Sequence, residues 1–290
     1  MTDSRDRRWS VDQRLRFIEE RLFWLGSINR ANIIDRFGVS IGQASADINR
    51  YLAFRPKDVL YDKSAKRYKA GDNFMPLLGP PDTSRLLGEF RLAGLGVLDA
   101  GATMLGAVPP FDQTPVPERS VDATVLRAVC RAIFGAAAIE IGYQSMSRAE
   151  PVRRLIEPHA LVYDGYRWHA RAWDRETASF RDFVLARMSE PARAGTREKD
   201  PGDDRAWTDW IELRIAPHPA LTPAQATAIR RDYAIEGDSA VIKVREALLF
   251  YALKRLGLDT PPEARPPQEQ QIVLVNRDEV LRRTTDSGPL

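Results

Sequence analysis

Apolar residues at Val11, Leu15, Ile18, Leu22 and Leu25 fall in steps of four, three, four and three. That spacing is the stripe of an amphipathic helix, which Gly26 is placed to end. A second helix is predicted over RANIIDRF, with Asn29 as its N-cap, Ile28 and Ile33 as a hydrophobic staple, and Gly38 at its end. Ser40 then opens a third helix, with Gln43 in the position that completes a Ser-x-x-Gln capping box. Its predicted buried side is Ile41, Ala44, Ile48 and Leu52, which leaves Gln43, Ser45, Ala46, Asn49 and Arg50 facing outward.

Periodicity then switches to two. Val59-Leu60-Tyr61 and Arg67-Tyr68-Lys69 flank a basic tip, the pattern of a hairpin. Ser84 to Leu98 is helical in pattern, although Gly88, Gly94 and Gly96 weaken it. The Pro-rich run 106–118 reads as an extended connector, and Ser120-Val121-Asp122 opens a helix to Phe134 with Val125, Val129 and Ile133 on one side. From Ala137 successive strands follow, with a hairpin signal at Asp164-Gly165. Residues 191–205 read as a charged flexible link. Beyond it come a strand from Trp210 to about Pro217, a helix opened by Thr222-Pro223, a strand at Ala240–Val244 and a helix from Glu246 to Leu256. A Pro-rich stretch and a short apolar segment at Ile272–Val275 lead to a polar end.

The alternation of the middle strands carries chemistry. Tyr166, Trp168, Ala170 and Ala172 point one way, and Arg167, His169 and Arg171 the other. Trp168 is accordingly expected in the core. Arg181 and Arg187 share one parity on the next strand, as Tyr143, Ser145 and Ser147 do on the first, and His159 is offset so that it can join them. Guanidinium groups among hydroxyls suit a phosphate.

Net charge is +3, yet residues 1–70 carry 15 Lys/Arg against 9 Asp/Glu, so the remainder is net acidic. A basic end is the electrostatic footprint of a nucleic-acid module. Two short helices joined by a glycine turn, the second with a small polar face, describe a helix-turn-helix, and the hairpin supplies a wing. Ser40, Gln43, Ser45, Asn49 and Arg50 are the candidate groove contacts; Lys63, Lys66 and Arg67 are candidate phosphate contacts. Asp47 fits this face only if it reads a cytosine or pairs with a basic neighbour.

No apolar run approaches a membrane span, and MTDSRDRRWS lacks the apolar core of a secretory signal. With Cys130 alone, an intramolecular disulfide is excluded and a reducing cytoplasm is expected. Three scattered histidines give no zinc site. There is no phosphate loop, nucleophile elbow or His-Glu-x-x-His pair, so a binder with no cofactor is expected rather than an enzyme. A nuclease using His159 and His169 as acid and base is the enzymatic alternative.

Ile141-x-Tyr143, Arg154-x-Ile156-x-Pro158, Trp168-His169-Ala170 and Arg181-x-Phe183-x-Leu185 ending at Arg187 together resemble a WYL domain. Of the nominal Trp-Tyr-Leu triplet only Trp168 is kept; the surrounding spacing carries the match. The whole order resembles WYL transcriptional regulators, closest to the repressors beside bacterial BREX and CBASS anti-phage systems. The resemblance spans most of residues 8–260. It implies an α+β multidomain chain: a winged helix-turn-helix (8–72), a helical connector (73–136), a WYL domain of SH3/Sm-like barrel type (137–190) and a C-terminal α/β dimerisation extension (206–260). It further implies a homodimer on a palindromic operator, repressing a phage-defence operon. A nucleotide or nucleic-acid ligand would sit at Tyr143, Ser145, Ser147, His159, His169, Arg171, Arg181 and Arg187. A sensor that controls a protein partner instead of a promoter is the alternative.

Overall fold

The structure, a computed structural model, describes residues 3–54, 58–115, 117 and 119–286, with side chains from 10 to 283. Positions 116 and 118 of the predicted connector lie outside the described residues. The chain divides into two compact units, 1–115 and 116–290.

The first unit runs α1 (Asp3–Leu25), β1 (Ser27–Ile28), α2 (Arg30–Phe37), α3 (Ile41–Leu52), β2 (Val59–Asp62), β3 (Arg67–Ala70) and α4 (Thr83–Gly94). The starts of α2, α3 and α4 each have a chemical cause, in the side chains of Asn29, Ser40 and Asp82. The Asn29 side chain accepts from Asn32 N, and the Asn32 side chain reciprocates. Gly38 sits in the left-handed region (φ 64°) and closes α2 by donating to Ile34 O. Ser40 Oγ accepts from Gln43 N, but the Gln43 side chain goes elsewhere, so only half of the predicted capping box forms. β1 pairs with β3, and β3 with β2, giving the small sheet of a winged helix.

Leu15, Ile18, Leu22, Ile28, Ile33, Ala44, Ile48, Tyr51, Val59 and Phe74 fill its core. Ile41, expected inside, is 64% exposed. It occupies the first turn of α3, and the buried stripe is rotated onto Ala44, Asp47, Ile48 and Tyr51. Glu19 on α1 is buried and accepts from Tyr51 Oη (2.8 Å), Leu77 N (2.6 Å) and Leu78 N (2.8 Å). α4 stops at Gly94, short of the predicted Leu98. A Cβ at that glycine would lie 2.7 Å from the Phe111 ring.

In the second unit, α5 (Ala123–Phe134) lays Val125, Val129 and Ala132 on a five-stranded antiparallel sheet. The strands are β4 (Ala137–Tyr143), β5 (Val152–Tyr163), β6 (Trp168–Asp174), β7 (Ser179–Val184) and β8 (Met188–Thr196), in spatial order β7-β6-β5-β4-β8. β7 and β8 are the opposite edges, yet one 3-10 turn, Leu185–Arg187, joins them. A flat five-stranded sheet is about 19 Å wide, and three residues reach about 10 Å. The sheet is therefore rolled into a barrel. Two bonds tie β4 to this connection: Gln144 N, just past β4, donates to Arg187 O (3.1 Å), and Val184 N of β7 donates to Tyr143 Oη (3.2 Å).

The barrel's inner face holds Ile139, Ile141, Tyr143, Ile156, Ala170, Ala172 and Phe183. Trp168, expected in this core, is 47% exposed and packs on Tyr163. Alternation assigns it the face of Ala170, but as the first residue of β6 it projects beyond the barrel's filled interior. The supposed flexible link is also ordered. β8 runs to Thr196, and Glu157 accepts from the backbone N–H groups of Glu198 and Lys199.

The chain continues as α6 (Arg205–Thr208), β9 (Trp210–Pro217), α7 (Pro223–Asp232), β10 (Ala240–Arg245), α8 (Leu249–Leu256), β11 (Ile272–Leu274) and α9 (Arg277–Asp286). The three strands pair in the order β10-β9-β11 around Leu213, Ile215, Ile229, Leu249, Leu253 and Val280. The polar end is helical as α9, and Val280 places its side chain in that core.

Candidate nucleic-acid interface and barrel faces

α3 is held by one side and bare on the other. Ala44, Asp47, Ile48 and Tyr51 face the core, and Gly42, Gln43, Ala46, Asn49 and Arg50 are exposed, with Ser45 at the margin. Small residues in the middle of that stripe let the helix axis approach a groove, while Asn49 and Arg50 carry the chemistry to read base edges. Asp47 is 2% exposed and takes a basic neighbour: Arg14 Nε on α1 donates to Oδ2 at 2.6 Å. Lys63, Lys66 and Arg67 are all exposed around the β2–β3 turn. Asp62 tightens that turn, accepting from Ala65 N at 2.9 Å and pairing with Lys69 at 2.7 Å. These exposed cations stand on a fixed hairpin.

The barrel divides the eight predicted ligand residues into two groups. His159, His169 and Arg171 are on the outer face. His159 reaches it because a bulge between Pro158 and Ala160 turns it out of register. All three are engaged with acids. Arg171, 6% exposed, donates from Nε and Nη2 to Asp204 (2.8 and 2.9 Å) and from Nη1 to Asp182 (3.3 Å). His159 Nε2 lies 3.0 Å from the same Asp204, and His169, 3% exposed, lies 3.0 Å from Asp164. Tyr251 on α8 closes the cluster, donating to Asp182 at 3.3 Å and stacking near His169.

Burial disfavours the charge on Asp204, but hydrogen bonds from His159 and Arg171 overcome it and hold the carboxyl at about 2. Asp182 goes the other way. Burial raises it, and the charges of Arg171 and His169 with the hydrogen bonds from Arg171 and Tyr251 do not compensate. Burial and the adjacent Asp182 also push the Tyr251 hydroxyl up. This cluster is an ionic joint between the barrel and the C-terminal elements.

Arg181 is not on that face. It pairs with Ala172, a core residue, so it shares the inner face of the barrel, whereas Asp182 pairs with Arg171. This corrects the expectation that Arg181 lines one surface with Arg171. Tyr143 is inner as well, edge-on to Phe183 at 5.0 Å. Ser145 and Ser147 bond each other at 3.1 Å just past β4, and Arg187 sits in the turn that joins β7 to β8. Among the described residues no carboxylate pairs with Arg181 or Arg187.

Sequence reasoning missed Asp204, Asp182, Asp164 and Tyr251. Asp204 lay in the stretch read as a link, and it is the buried N-cap of α6, accepting from Trp207 N. No local spacing signals its partnership with Arg171.

The chain is 35% identical to the DNA-binding transcriptional repressor CapW of Escherichia coli (strain KTE188) over 94% of this chain and 91% of that protein. The CapW of Pseudomonas aeruginosa matches at 35% over the same shares, and that of Stenotrophomonas maltophilia at 33% over 94% and 92%. The chain belongs to the CapW family of repressors. Family models divide it as the fold does. The BrxR transcriptional regulator winged helix-turn-helix domain matches residues 10–91, the WYL domain 124–193, and the BrxR C-terminal dimerization domain 210–280. This member of the CapW family thus has an N-terminal winged helix, a central WYL domain and a C-terminal dimerization domain. Among solved structures, the proteasome accessory factor PafBC of Arthrobacter aurescens aligns at 18% identity over 97% of this chain and 48% of that one, with a TM-score of 0.28. The described helices include none long and apolar enough to cross a membrane.

Proposed function

We propose that the chain represses transcription as a homodimer, placing α3 in the major groove of each half of a palindromic operator, with the β2–β3 tip on the flanking phosphates. The observation that carries this reading is the bare stripe of Gly42, Ala46, Asn49 and Arg50 on a capped helix, beside an exposed cationic hairpin. A two-fold dimer would present two such helices to two half-sites. Repression of an anti-phage operon follows from likeness to the repressors of those systems.

The same reading assigns the WYL domain to a nucleotide or nucleic-acid ligand. Tyr143, Ser145, Ser147, Arg181 and Arg187 form the group that supports it best, because among the described residues no carboxylate pairs with the guanidinium groups of Arg181 and Arg187. His159, His169 and Arg171 would meet a ligand only by exchanging Asp204, Asp164 or Asp182 for it.

Footprinting and fluorescence anisotropy on DNA upstream of the chain's own gene test both halves. Asn49→Ala and Arg50→Ala should each weaken operator binding by about 10-fold or more with an unchanged circular dichroism spectrum. Unchanged affinity in both removes α3 from the interface. Arg181→Ala or Arg187→Ala should leave operator affinity intact and abolish its modulation by added oligonucleotides or nucleotides. An intact response in both removes the ligand assignment.

A further inference from the structure

One contact on the recognition helix has a directional consequence. Gln43 is exposed, but its amide is not free to turn: Nε2 lies 3.0 Å from Asp47 Oδ1. Asp47 is buried and clamped from behind by Arg14, whose Nε and Nη2 reach Oδ2 and Oδ1 at 2.6 and 3.4 Å. A carboxylate in an ion pair accepts hydrogen bonds and donates none. The amide atom turned towards Asp47 must therefore be the nitrogen. That leaves Oε1, beside the one uncommitted Nε2 hydrogen, available to a ligand.

We propose that Asp47 is a positioning residue: it fixes the Gln43 amide with its carbonyl oxygen outward, so that α3 selects a base carrying an amino group in the major groove. Adenine N6 and cytosine N4 are such donors, and the O6 of guanine and O4 of thymine are acceptors that Oε1 would repel. An unanchored glutamine swings its amide either way and tolerates both classes. With one Nε2 hydrogen committed to Asp47, Gln43 cannot turn both donors outward to a keto base. The inference rests on α3 being the helix that enters the groove.

Selection from randomised duplex DNA by the full-length protein tests it. The wild type should select adenine or cytosine on one strand at one symmetry-related position in each half-site. Gln43→Ala should lose that preference there and nowhere else. Asp47→Asn should lose it at the same position, with an amino-over-keto ratio reduced about tenfold and non-specific affinity unchanged. Because Asp47→Asn strips a buried arginine of its partner, the pair Arg14→Met with Asp47→Leu serves as a second variant. Replacing a buried ion pair by apolar residues of similar volume is often neutral for stability, and it too removes the anchor.

Retention of the preference in both Asp47 variants, while Gln43→Ala loses it, overturns the proposal alone. An equal loss at every position assigns Asp47 a merely structural part and also overturns it. No change at any position in Gln43→Ala also overturns the proposal, and leaves the groove assignment of α3 to be decided by the Asn49 and Arg50 variants.

Discussion

The outward face of α3 and the outer face of the barrel look alike as sequence, each an alternation of polar and apolar positions with arginine on the polar side. In the folded chain they are opposites. Gln43, Asn49 and Arg50 stay exposed, while His159, His169 and Arg171 are packed under Asp204 and Tyr251. Periodicity assigns a side chain to a face. It says nothing of what later segments lay over that face. The cover comes from residues 33 to 80 positions downstream of the arginine, at Asp204 and Tyr251.

The contrast makes its largest prediction about stability. Asp204→Ala leaves Arg171 and His159 without their shared acceptor and should destabilise the second unit by about 3–5 kcal/mol. Asn49→Ala on the bare face should stay within about 0.5 kcal/mol. Urea denaturation of the two variants decides it; equal midpoints would dissolve the distinction between the faces.

Acid gives a smaller effect of the same origin. The Asp204 carboxyl falls from 3.8 to about 2 in the folded chain. Its stabilisation is therefore complete above pH 4 and lost as pH falls towards 2, amounting to about 2 kcal/mol. Between pH 5 and 2.5 the wild type should lose more stability than Asp204→Asn, and parallel curves would refute the joint. Smallest is the wing. Lys66→Ala should weaken all duplexes evenly and lower the salt slope of binding by about 1, and a sequence-dependent loss would move Lys66 into base readout.

Most of the fold was legible where a local cause exists. Asn29, Ser40, Gly38 and Thr222 mark helix ends through their own backbone chemistry, and all four lie where predicted. The strands of the barrel followed from alternation with period two. What failed was depth and partnership. Trp168 has the parity of a core residue and stands at a strand end, Ile41 has helical spacing and stands in the first turn, and Arg181 lies on the inner face because the strand register, which alternation alone does not give, pairs it with Ala172. Asp47 was legible as an anomaly, an acid on a face meant for DNA. Its partner Arg14, 33 residues earlier, could be found only in three dimensions.

Glu19 gives the winged helix a mechanical property. Its two oxygens hold the hydroxyl of Tyr51 near the end of α3 and the backbone amides of Leu77 and Leu78 in the chain beyond the wing. A pull on that segment cannot be absorbed by slack. Either it carries Tyr51 and α3 with it, or it strips a buried carboxylate of its donors. The chain that leaves the winged helix is thus geared to the end of α3.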